Sequence, residues 1–187
     1  MLLHSRAGDN QSLRYCNDVG AAFPAPAQAV DSEGPGDVMH TSAKLQFDHV
    51  GVVVHEIEIG RKFFEDTLGI ERWSEVCVDP GLGVSVQFGL GATGPCYELI
   101  SPLSENSPVS AALRTGQRIL NHVAYLTADL EAEGQRLASH CCSPTGPPHP
   151  AVAYGGRRVQ FWVSPLRFII ELIEAPEHQH SYLHTSD

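Results

Sequence analysis

The chain has 187 residues and a formal net charge of −10, with 22 Asp and Glu against 12 Lys and Arg. That length supports one ordinary core or two small modules that depend on each other. The few basic residues form no stripe, and no stretch approaches the ~18 consecutive apolar residues of a membrane span, so we expect neither nucleic acid nor a membrane as a partner.

The two ends of the chain differ from its middle. Residues 1–43 are rich in Ala, Gly, Pro, Ser and Asp and show no sustained period, which predicts a flexible N-terminal extension. Residues 44–176 carry the periodic apolar segments and are predicted to form the folded domain. Residues 177–187 are predicted to be a short, solvated polar tail, which contains His178, His180 and His184.

The first module, about residues 45–102, is predicted to be a β-α-β-β-β unit. It opens on a β-branched apolar run, and apolar residues at helical spacing follow, with Gly69 at the position of a C-terminal cap. Turn-rich sequence separates three further strands. The predicted segments are a strand over 47–54, a helix over 56–68, and strands over 71–78, 84–90 and 96–101.

The second module, about residues 119–175, repeats this order after a short linking helix over 107–115. Two apolar positions of the two helices match at an offset of 73, with Ile57 opposite Leu130 and Phe64 opposite Leu137. The predicted fold class is therefore α+β, with two βαβββ modules in one domain. The predicted segments are a strand over 120–126, a helix over 128–139, a weak strand near Val152, and strands over 157–163 and 167–174.

The chain carries the same pair of residues twice at a fixed spacing. His49 precedes Glu98 by 49 residues, on the first and last strands of the first module. His122 and Glu171 are also 49 residues apart and occupy the same positions in the second module. Because alternate residues of a strand share a face, each of the four lies opposite its immediate apolar neighbours. If the sheets curve, these four side chains line a cup.

Two imidazoles and two carboxylates form a suitable ligand set for a divalent cation. Glu98 and Glu171 stand inside apolar strands, where an unpaired carboxylate is costly unless a cation neutralises it. Two nitrogen and two oxygen ligands with open positions suit Co, Mn, Ni, Mg or a labile Zn ion. A single His or Glu at the end of a strand is more often a surface or capping residue, so the repeated spacing is what favours a metal site.

The cysteines and the N-terminus bear on the cellular compartment. The cysteines show no zinc-type CxxC spacing, which favours free thiols in a reducing cytosol. The N-terminus has no basic segment followed by a continuous apolar stretch, so we expect no secretory signal and a cytoplasmic protein. The five cysteines are Cys16, Cys77, Cys96, Cys141 and Cys142.

Five segments resemble the vicinal oxygen chelate superfamily, the group of glyoxalase I and the bleomycin-resistance proteins. They include all four His and Glu residues and the end of the first helix, and the resemblance covers about residues 45–175. Within this superfamily the pattern is most similar to the methylmalonyl-CoA epimerases. The five segments are residues 48–54, 63–69, 97–103, 121–125 and 168–173.

The resemblance implies paired βαβββ modules that form a curved, mixed-sheet cup around a divalent metal. It places His49, Glu98, His122 and Glu171 at the four ligand positions. It also implies a metal that binds two substrate oxygens and acts as a Lewis acid on a developing enolate, while a carboxylate moves a proton at the adjacent carbon. The extradiol dioxygenases of the superfamily lack a ligand at the position of Glu98, so its presence favours isomerase, epimerase or lyase chemistry.

Two positions depart from the epimerase pattern. A further catalytic carboxylate of the epimerases falls at about Gly81, where no side chain exists. Asp79 is close enough in sequence to substitute for it, although an aspartate beside Pro80 also suits a turn. The last hairpin, residues 162–167, is shorter than the loop that the family uses near the acyl-CoA. We take Glu171 and Asp79 as the candidate catalytic residues.

Three functions are compatible with these features. The first is a metal-dependent, epimerase-like enzyme that stabilises the enolate of an acyl thioester, with an acyl-CoA as the candidate small-molecule substrate. The second is a glyoxalase-type lyase or isomerase that acts on another small molecule. The third is a protein of the same fold that binds a small molecule such as an antibiotic without chemistry. We expect a homodimer, and the sequence leaves open whether the modules pair within one chain or across the dimer.

Overall fold

The structure is a computed structural model that describes residues 45–183. The predicted extension over residues 1–43 and the tail residue His184 lie outside this range. Within the range, no helix has the length and apolar content needed to cross a membrane.

The described chain contains ten strands, three α-helices and one 3₁₀ turn over Val152–Tyr154. The strands are β1 (Gln46–Val53), β2 (Ile70–Trp73), β3 (Cys77–Asp79), β4 (Val84–Gly91), β5 (Cys96–Pro102), β6 (Leu120–Leu126), β7 (Ser143–Pro144), β8 (His149–Ala151), β9 (Arg157–Val163) and β10 (Ile169–Ile173). The helices are α1 (Ile57–Leu68), α2 (Ser110–Thr115) and α3 (Leu130–Ser139).

The strands form one mixed sheet that has the same arrangement on both sides of its centre. The order is β2-β4-β5-β1-β6-β10-β9-β7, with β3 paired to β4 and β8 paired to β9. The first strand of each module is parallel to the last strand of the same module, so β1 pairs with β5 and β6 pairs with β10. The central pair, β1 and β6, is antiparallel. The α+β fold of two modules is therefore confirmed, and the modules join within one chain.

The two faces of the sheet carry different layers. On one face α1 and α3 cover separate small cores, in which Phe64 packs with Leu99 under α1 and Leu137 packs with Leu172 under α3. The other face carries the largest core cluster, which spans both modules and includes Val53, Ala124 and other residues of the central strands. The helices therefore cover one face, and Glu98 and Glu171, which alternate with Leu99 and Leu172 along their strands, lie on the other.

Local signals in the sequence explain where the helices end. α1 stops at Gly69, which adopts the left-handed conformation with φ 66°, as the predicted C-terminal cap requires. α3 begins at Leu130, two residues later than predicted, because the Asp129 side chain accepts a hydrogen bond from the Ala132 amide and so caps the helix.

The strand predicted over residues 71–78 is wrong as a single element, because it is broken between β2 and β3. Ser74 lies at the break, and its hydroxyl accepts a hydrogen bond of 3.0 Å from the Phe88 amide, where a backbone carbonyl would continue the ladder. A side-chain acceptor at this position lets the chain bend away from β4. The weak strand expected near Val152 is also displaced, to β8, and Val152 itself begins the 3₁₀ turn.

The prediction of a solvated tail is wrong for His178, His180 and Tyr182, although Gln179 and Ser181 between them are exposed. His178 and His180 are partly buried, and only 8% of the His180 side chain is exposed. The Leu183 amide donates a hydrogen bond of 2.7 Å to the Trp73 carbonyl, which attaches the segment beside β2. This segment, residues 177–183, is called the C-terminal strap below.

The cysteines differ from the expectation at one position. Cys77, Cys96 and Cys142 are free thiols, as predicted, but Cys141 is disulfide-bonded. Cys16 lies outside the described residues.

Replacing Leu99 by Ala should destabilise the fold strongly. Leu99 is fully buried beneath α1, so truncation leaves a cavity and is expected to lower the free energy of unfolding by about 2–5 kcal/mol. Leu166, which is 58% exposed, provides the matched Leu→Ala control and should change stability by less than ~0.5 kcal/mol. Chemical denaturation measures both, and equal effects of the two substitutions would contradict this description of the core.

Candidate metal centre

The four predicted ligands come from the four central strands of the sheet. His49 lies on β1 and His122 on β6, the antiparallel strands at the junction of the modules. Glu98 on β5 and Glu171 on β10 flank them. Gly51 pairs in register with both His122 and Glu98, so a residue without a side chain lies between two ligands. The curved sheet brings together residues that are far apart in sequence.

The candidate ligand atoms of these residues converge on one point. All four residues are buried, and these atoms lie within 4.8 Å of one another. The two Nε2 atoms of His49 and His122 are 2.9 Å apart. Oε2 of Glu98 is 3.3 Å from His49 Nε2 and 3.4 Å from His122 Nε2. Oε2 of Glu171 is 3.5 Å from His49 Nε2 and 3.1 Å from His122 Nε2.

These separations fit a shared cation. Ligands at ~2.1 Å from a metal lie ~3.0 Å apart in neighbouring octahedral positions and ~3.4 Å apart in tetrahedral ones. One distance joins the two imidazole nitrogens, and four join these nitrogens to carboxylate oxygens. All five are 2.9–3.5 Å and fall within or just outside that interval. The donor set of two imidazoles and two carboxylates also balances a divalent charge. The residues present therefore fit a divalent metal ion.

Hydrogen bonds orient both imidazoles toward the same point. Nδ1 of His49 lies 2.8 Å from Oδ2 of Asp48, and Nδ1 of His122 lies 3.0 Å from Oδ1 of Asn121. If each Nδ1 carries the proton donated in these contacts, both Nε2 atoms present lone pairs to each other at 2.9 Å. Two lone pairs at that distance repel, and a cation between them removes the repulsion. Carboxylate and carbonyl partners of this kind commonly orient metal-binding histidines.

Aromatic rings hold the imidazoles from the side. Phe88 contacts His49 edge-to-face with ring centroids 5.3 Å apart, and Phe161 contacts His122 in the same way at 5.6 Å. The two phenylalanines are 73 residues apart, so the packing around the ligands repeats along with the ligands themselves.

In the metal-free protein the four groups shift one another's protonation. Burial alone would lower the pKa of His49, but the charge of Glu98 and the hydrogen bond to Asp48 raise it well above its usual value. Burial likewise opposes the rise of the His122 pKa, which the contacts with Glu171 and Glu98 produce. Burial would raise the pKa values of Glu98 and Glu171, but the two imidazoles lower both. In the metal-free protein the imidazoles and the carboxylates therefore favour each other's charged forms.

A cavity borders the ligands and is otherwise mostly apolar. It encloses about 590 Å³ that no atom fills, including its open mouth. His122, Glu98 and Glu171 form part of its wall. The apolar lining residues include Leu82, Val84, Val86, Ile100, Pro108, Val109 and Phe161.

Asp79, the second candidate catalytic residue, is buried in the wall of the same cavity. Its Oδ1 accepts a hydrogen bond of 3.0 Å from the Leu82 amide, as a turn aspartate does. Its Oδ2 accepts one of 2.8 Å from the Val152 amide of the other module. A Cβ atom at Gly81 would lie 3.2 Å from Asp79 Oδ1, so this carboxylate lies beside the position where the epimerase pattern has its own.

Four polar residues around the ligands were missed in the sequence. Asp48 and Asn121 each precede a ligand histidine, and this repeated polar residue was a usable signal. Tyr154 donates a hydrogen bond of 2.7 Å to Asp48, and His180 lies 3.0 Å from the same carboxylate. The latter two contacts link residues more than 100 positions apart and have no counterpart in the periodic pattern.

The sequence profile of one protein family matches most of the folded part. That family is described as the glyoxalase/bleomycin resistance protein/dioxygenase superfamily, and the match covers residues 48–161.

Two curated proteins illustrate the similarity in sequence. The chain is 30% identical over 139 residues to the uncharacterized protein YqjC of Bacillus subtilis (strain 168), with 73% of this chain and 96% of that protein covered. It is 27% identical over 117 residues to the ethylmalonyl-CoA/methylmalonyl-CoA epimerase of Cereibacter sphaeroides, with 62% of this chain and 86% of that protein covered.

Solved structures share the fold. A hypothetical protein from Bacillus halodurans C-125 superposes with a TM-score of 0.61 at 25% identity, with 75% of this chain and all of that chain covered. The methylmalonyl-CoA epimerase from Mycobacterium tuberculosis superposes with a TM-score of 0.58 at 22% identity, with 73% and 92% covered.

Replacing Gly51 by Ala should weaken metal binding without touching a ligand. A Cβ at this position would lie 2.3–2.7 Å from three atoms of the His122 ring, so the ring must move. We expect the metal dissociation constant to rise about 10-fold or more. Gly146, where a Cβ meets nothing within 4 Å, gives the matched Gly→Ala control with no expected change. Calorimetric titration with Co²⁺ measures both, and unchanged affinity in G51A would argue against the site geometry.

Metal binding should release protons near neutral pH. The raised pKa values of His49 and His122 mean that the metal must displace protons from the imidazoles. Titration calorimetry in two buffers of different ionisation enthalpy measures the released protons, and affinity should rise with pH.

The same two shifts predict how the metal-free protein responds to pH. A raised histidine pKa stabilises the fold fully below the unfolded value of ~6.5, and this contribution is lost as pH rises through the raised value. The free energy of unfolding of the metal-free protein should therefore fall above about pH 6.5. Proton uptake on metal binding, or a metal-free protein that becomes more stable through this range, would contradict the assigned charges.

Proposed function

The chain belongs to the glyoxalase/bleomycin resistance protein/dioxygenase superfamily, and from this premise we propose that it is a divalent-metal-dependent, epimerase-like isomerase. Its substrate is an acyl thioester or related carbonyl compound that reacts through an enolate. Many members of the superfamily are metal-dependent enzymes. The observation that carries the proposal is the convergence of four buried ligands at the wall of a cavity that also contains a further carboxylate.

The cavity supports enolate chemistry in two ways. When bound to His49, Glu98, His122 and Glu171, a divalent ion would supply Lewis-acid stabilisation for charge that develops on a carbonyl oxygen. The apolar walls exclude water, which strengthens every electrostatic interaction inside the cavity. A thioester carbonyl and an adjacent carboxylate oxygen of a substrate are the kind of paired oxygens that suit such a site.

Asp79 and Glu171 are the proposed proton carriers. Asp79 is the one carboxylate of the described cavity wall that is not in the ligand set. Each of its oxygens accepts one amide hydrogen bond, so each keeps a lone pair for a substrate proton. Glu171 lies in the ligand cluster and lines the same cavity, so it would face a bound substrate from that side. Two carboxylates at different positions of one cavity allow a proton to leave one face of the α-carbon and return to the other.

The acyl-CoA assignment rests on the relatives. One curated relative is named as an ethylmalonyl-CoA/methylmalonyl-CoA epimerase, and a solved structure of similar fold is a methylmalonyl-CoA epimerase. We therefore propose acyl-CoA as the substrate class. The homodimer and the cytoplasmic location expected from the sequence stay proposals.

Hydrogen–deuterium exchange at the substrate α-carbon tests this function. Protein loaded in turn with Co²⁺, Mn²⁺, Ni²⁺, Zn²⁺ or Mg²⁺ is mixed in D₂O with a panel of acyl-CoAs that includes methylmalonyl-CoA. We expect metal-dependent exchange. Glu98→Ala and His122→Ala should lose metal by more than ~100-fold in affinity while keeping the fold, because each removes a ligand. Asp79→Asn should retain metal but lose exchange by ~100-fold or more, because it loses a proton carrier.

The outcomes separate the proposed function from its alternatives. Product formation without exchange at the α-carbon would favour a glyoxalase-type lyase or isomerase. Tight ligand binding without turnover would favour a binding protein of the same fold. Full metal content in both E98A and H122A would overturn the metal assignment itself.

A further inference from the structure

One carboxylate oxygen joins three separate parts of the chain. Oδ2 of Asp48 lies 2.8 Å from Nδ1 of His49, 2.7 Å from the Tyr154 hydroxyl and 3.0 Å from Nε2 of His180. His49 belongs to the first module, Tyr154 to the second, and His180 to the C-terminal strap. Only 6% of the Asp48 side chain is exposed. Asp48, which orients His49, is therefore itself held by the second module and by the C-terminal strap.

The strap is fixed at several points along its length. The His180 ring stacks on Phe88, with centroids 4.0 Å apart and planes inclined by 27°. Tyr182 donates a hydrogen bond of 3.4 Å to Cys96 Sγ on β5. The guanidinium of Arg72 lies over the Tyr182 ring at 5.5 Å. With the bond from the Leu183 amide to Trp73, these contacts hold the strap against the first module.

His178 fixes the orientation of His180 in turn. Nε2 of His178 lies 3.3 Å from Nδ1 of His180, and the His178 ring packs on Tyr154 at 4.5 Å between centroids. When His178 donates to Nδ1, the proton of His180 resides on Nε2 and points at Asp48. His180 and His49 then both donate to the Asp48 carboxylate, which connects the strap to the imidazole of His49.

We propose that His180 of the C-terminal strap is a positioning residue of the metal centre, which acts through Asp48 to fix the tautomer and the ring orientation of His49. Tyr154 is the second positioning residue at the same oxygen. The strap is thereby a part of the site. This inference rests on the proposed metal-dependent function, since it assigns a role toward the same four ligands.

The burial of Asp48 supports this role. Its side chain is only 6% exposed, and its Oδ2 lies 2.7–3.0 Å from His49, Tyr154 and His180. A buried carboxylate that stays ionised needs donors, and His180 is one of the three that face it. Without that donor the carboxylate is less well compensated and is held less firmly beside Nδ1 of His49.

The test variant is His180→Phe, which keeps a ring to stack on Phe88 and removes the hydrogen bond to Asp48. The full-length protein is titrated with Co²⁺ against a competing chelator, and the absorption spectrum of the bound Co²⁺ is recorded. We expect the dissociation constant to rise about 10–100-fold, as is usual when a partner of a metal-binding histidine is lost. The spectrum should keep its shape because all four ligands remain.

Two further variants keep this test decisive. Gln179→Ala alters the exposed neighbour of His180 in the strap and should leave Co²⁺ affinity unchanged. Tyr154→Phe removes another donor to the same oxygen, from a different segment, and should weaken binding in the same way. The melting temperatures of the metal-free variants show whether any of them is unfolded. If H180F is unfolded, the Co²⁺ affinity of Y154F tests the role of the Asp48 contacts instead.

Other results of these measurements would each contradict one part of the proposal. Unchanged Co²⁺ affinity in H180F and Y154F would show that the strap only packs against the sheet. An altered Co²⁺ spectrum in H180F would show that His180 is a ligand and not a positioning residue. If the unaltered protein binds no metal, the proposed function fails, and NMR of the metal-free protein decides the role of His180. The slowly exchanging Nδ1–H resonance of His49 should be lost in H180F, and its persistence would refute the positioning role.

Discussion

This fold is organised around the junction of β1 and β6, where two imidazole nitrogens and two carboxylates approach one another closely. Four buried ionisable groups within 4.8 Å of one another are unstable unless a cation or protons neutralise them. The strand order provides the convergence, because each module contributes one His from its first strand and one Glu from its last, and the two first strands are neighbours. The chemistry that we propose depends on this arrangement remaining rigid.

The two repeated modules form the scaffold of the site. Positions at which the modules differ in sequence give the site its asymmetry. Leu99 and Leu172 are equivalent under the 73-residue offset, and each is fully buried beneath its helix. Gly81 and Tyr154 are also equivalent in sequence, but one has no side chain and the other places a hydroxyl on Asp48. The module that lacks a side chain at this position leaves space beside Asp79, while the other module closes its wall and supports His49.

Sequence patterns were sufficient for the repeated parts of the molecule. The proximity of the four predicted ligands could be anticipated because strands alternate their faces with period 2, and because two copies at equal spacing reinforce each other. The bend at Ser74 could not be predicted, since it depends on a serine hydroxyl that meets the Phe88 amide across the sheet. The strap could not be predicted either. Its polar sequence has no period, and its contact with Asp48 joins residues 132 positions apart.

The position of a bound metal would test this description most directly. A crystal of the Co²⁺-loaded protein, measured on both sides of the cobalt absorption edge, yields an anomalous difference map that reports the ion alone. We predict a single strong peak bounded by His49, Glu98, His122 and Glu171, at ~2.0–2.2 Å from one atom of each. A peak at another group of residues, or a fully loaded protein in which these four side chains point away from the ion, would contradict it.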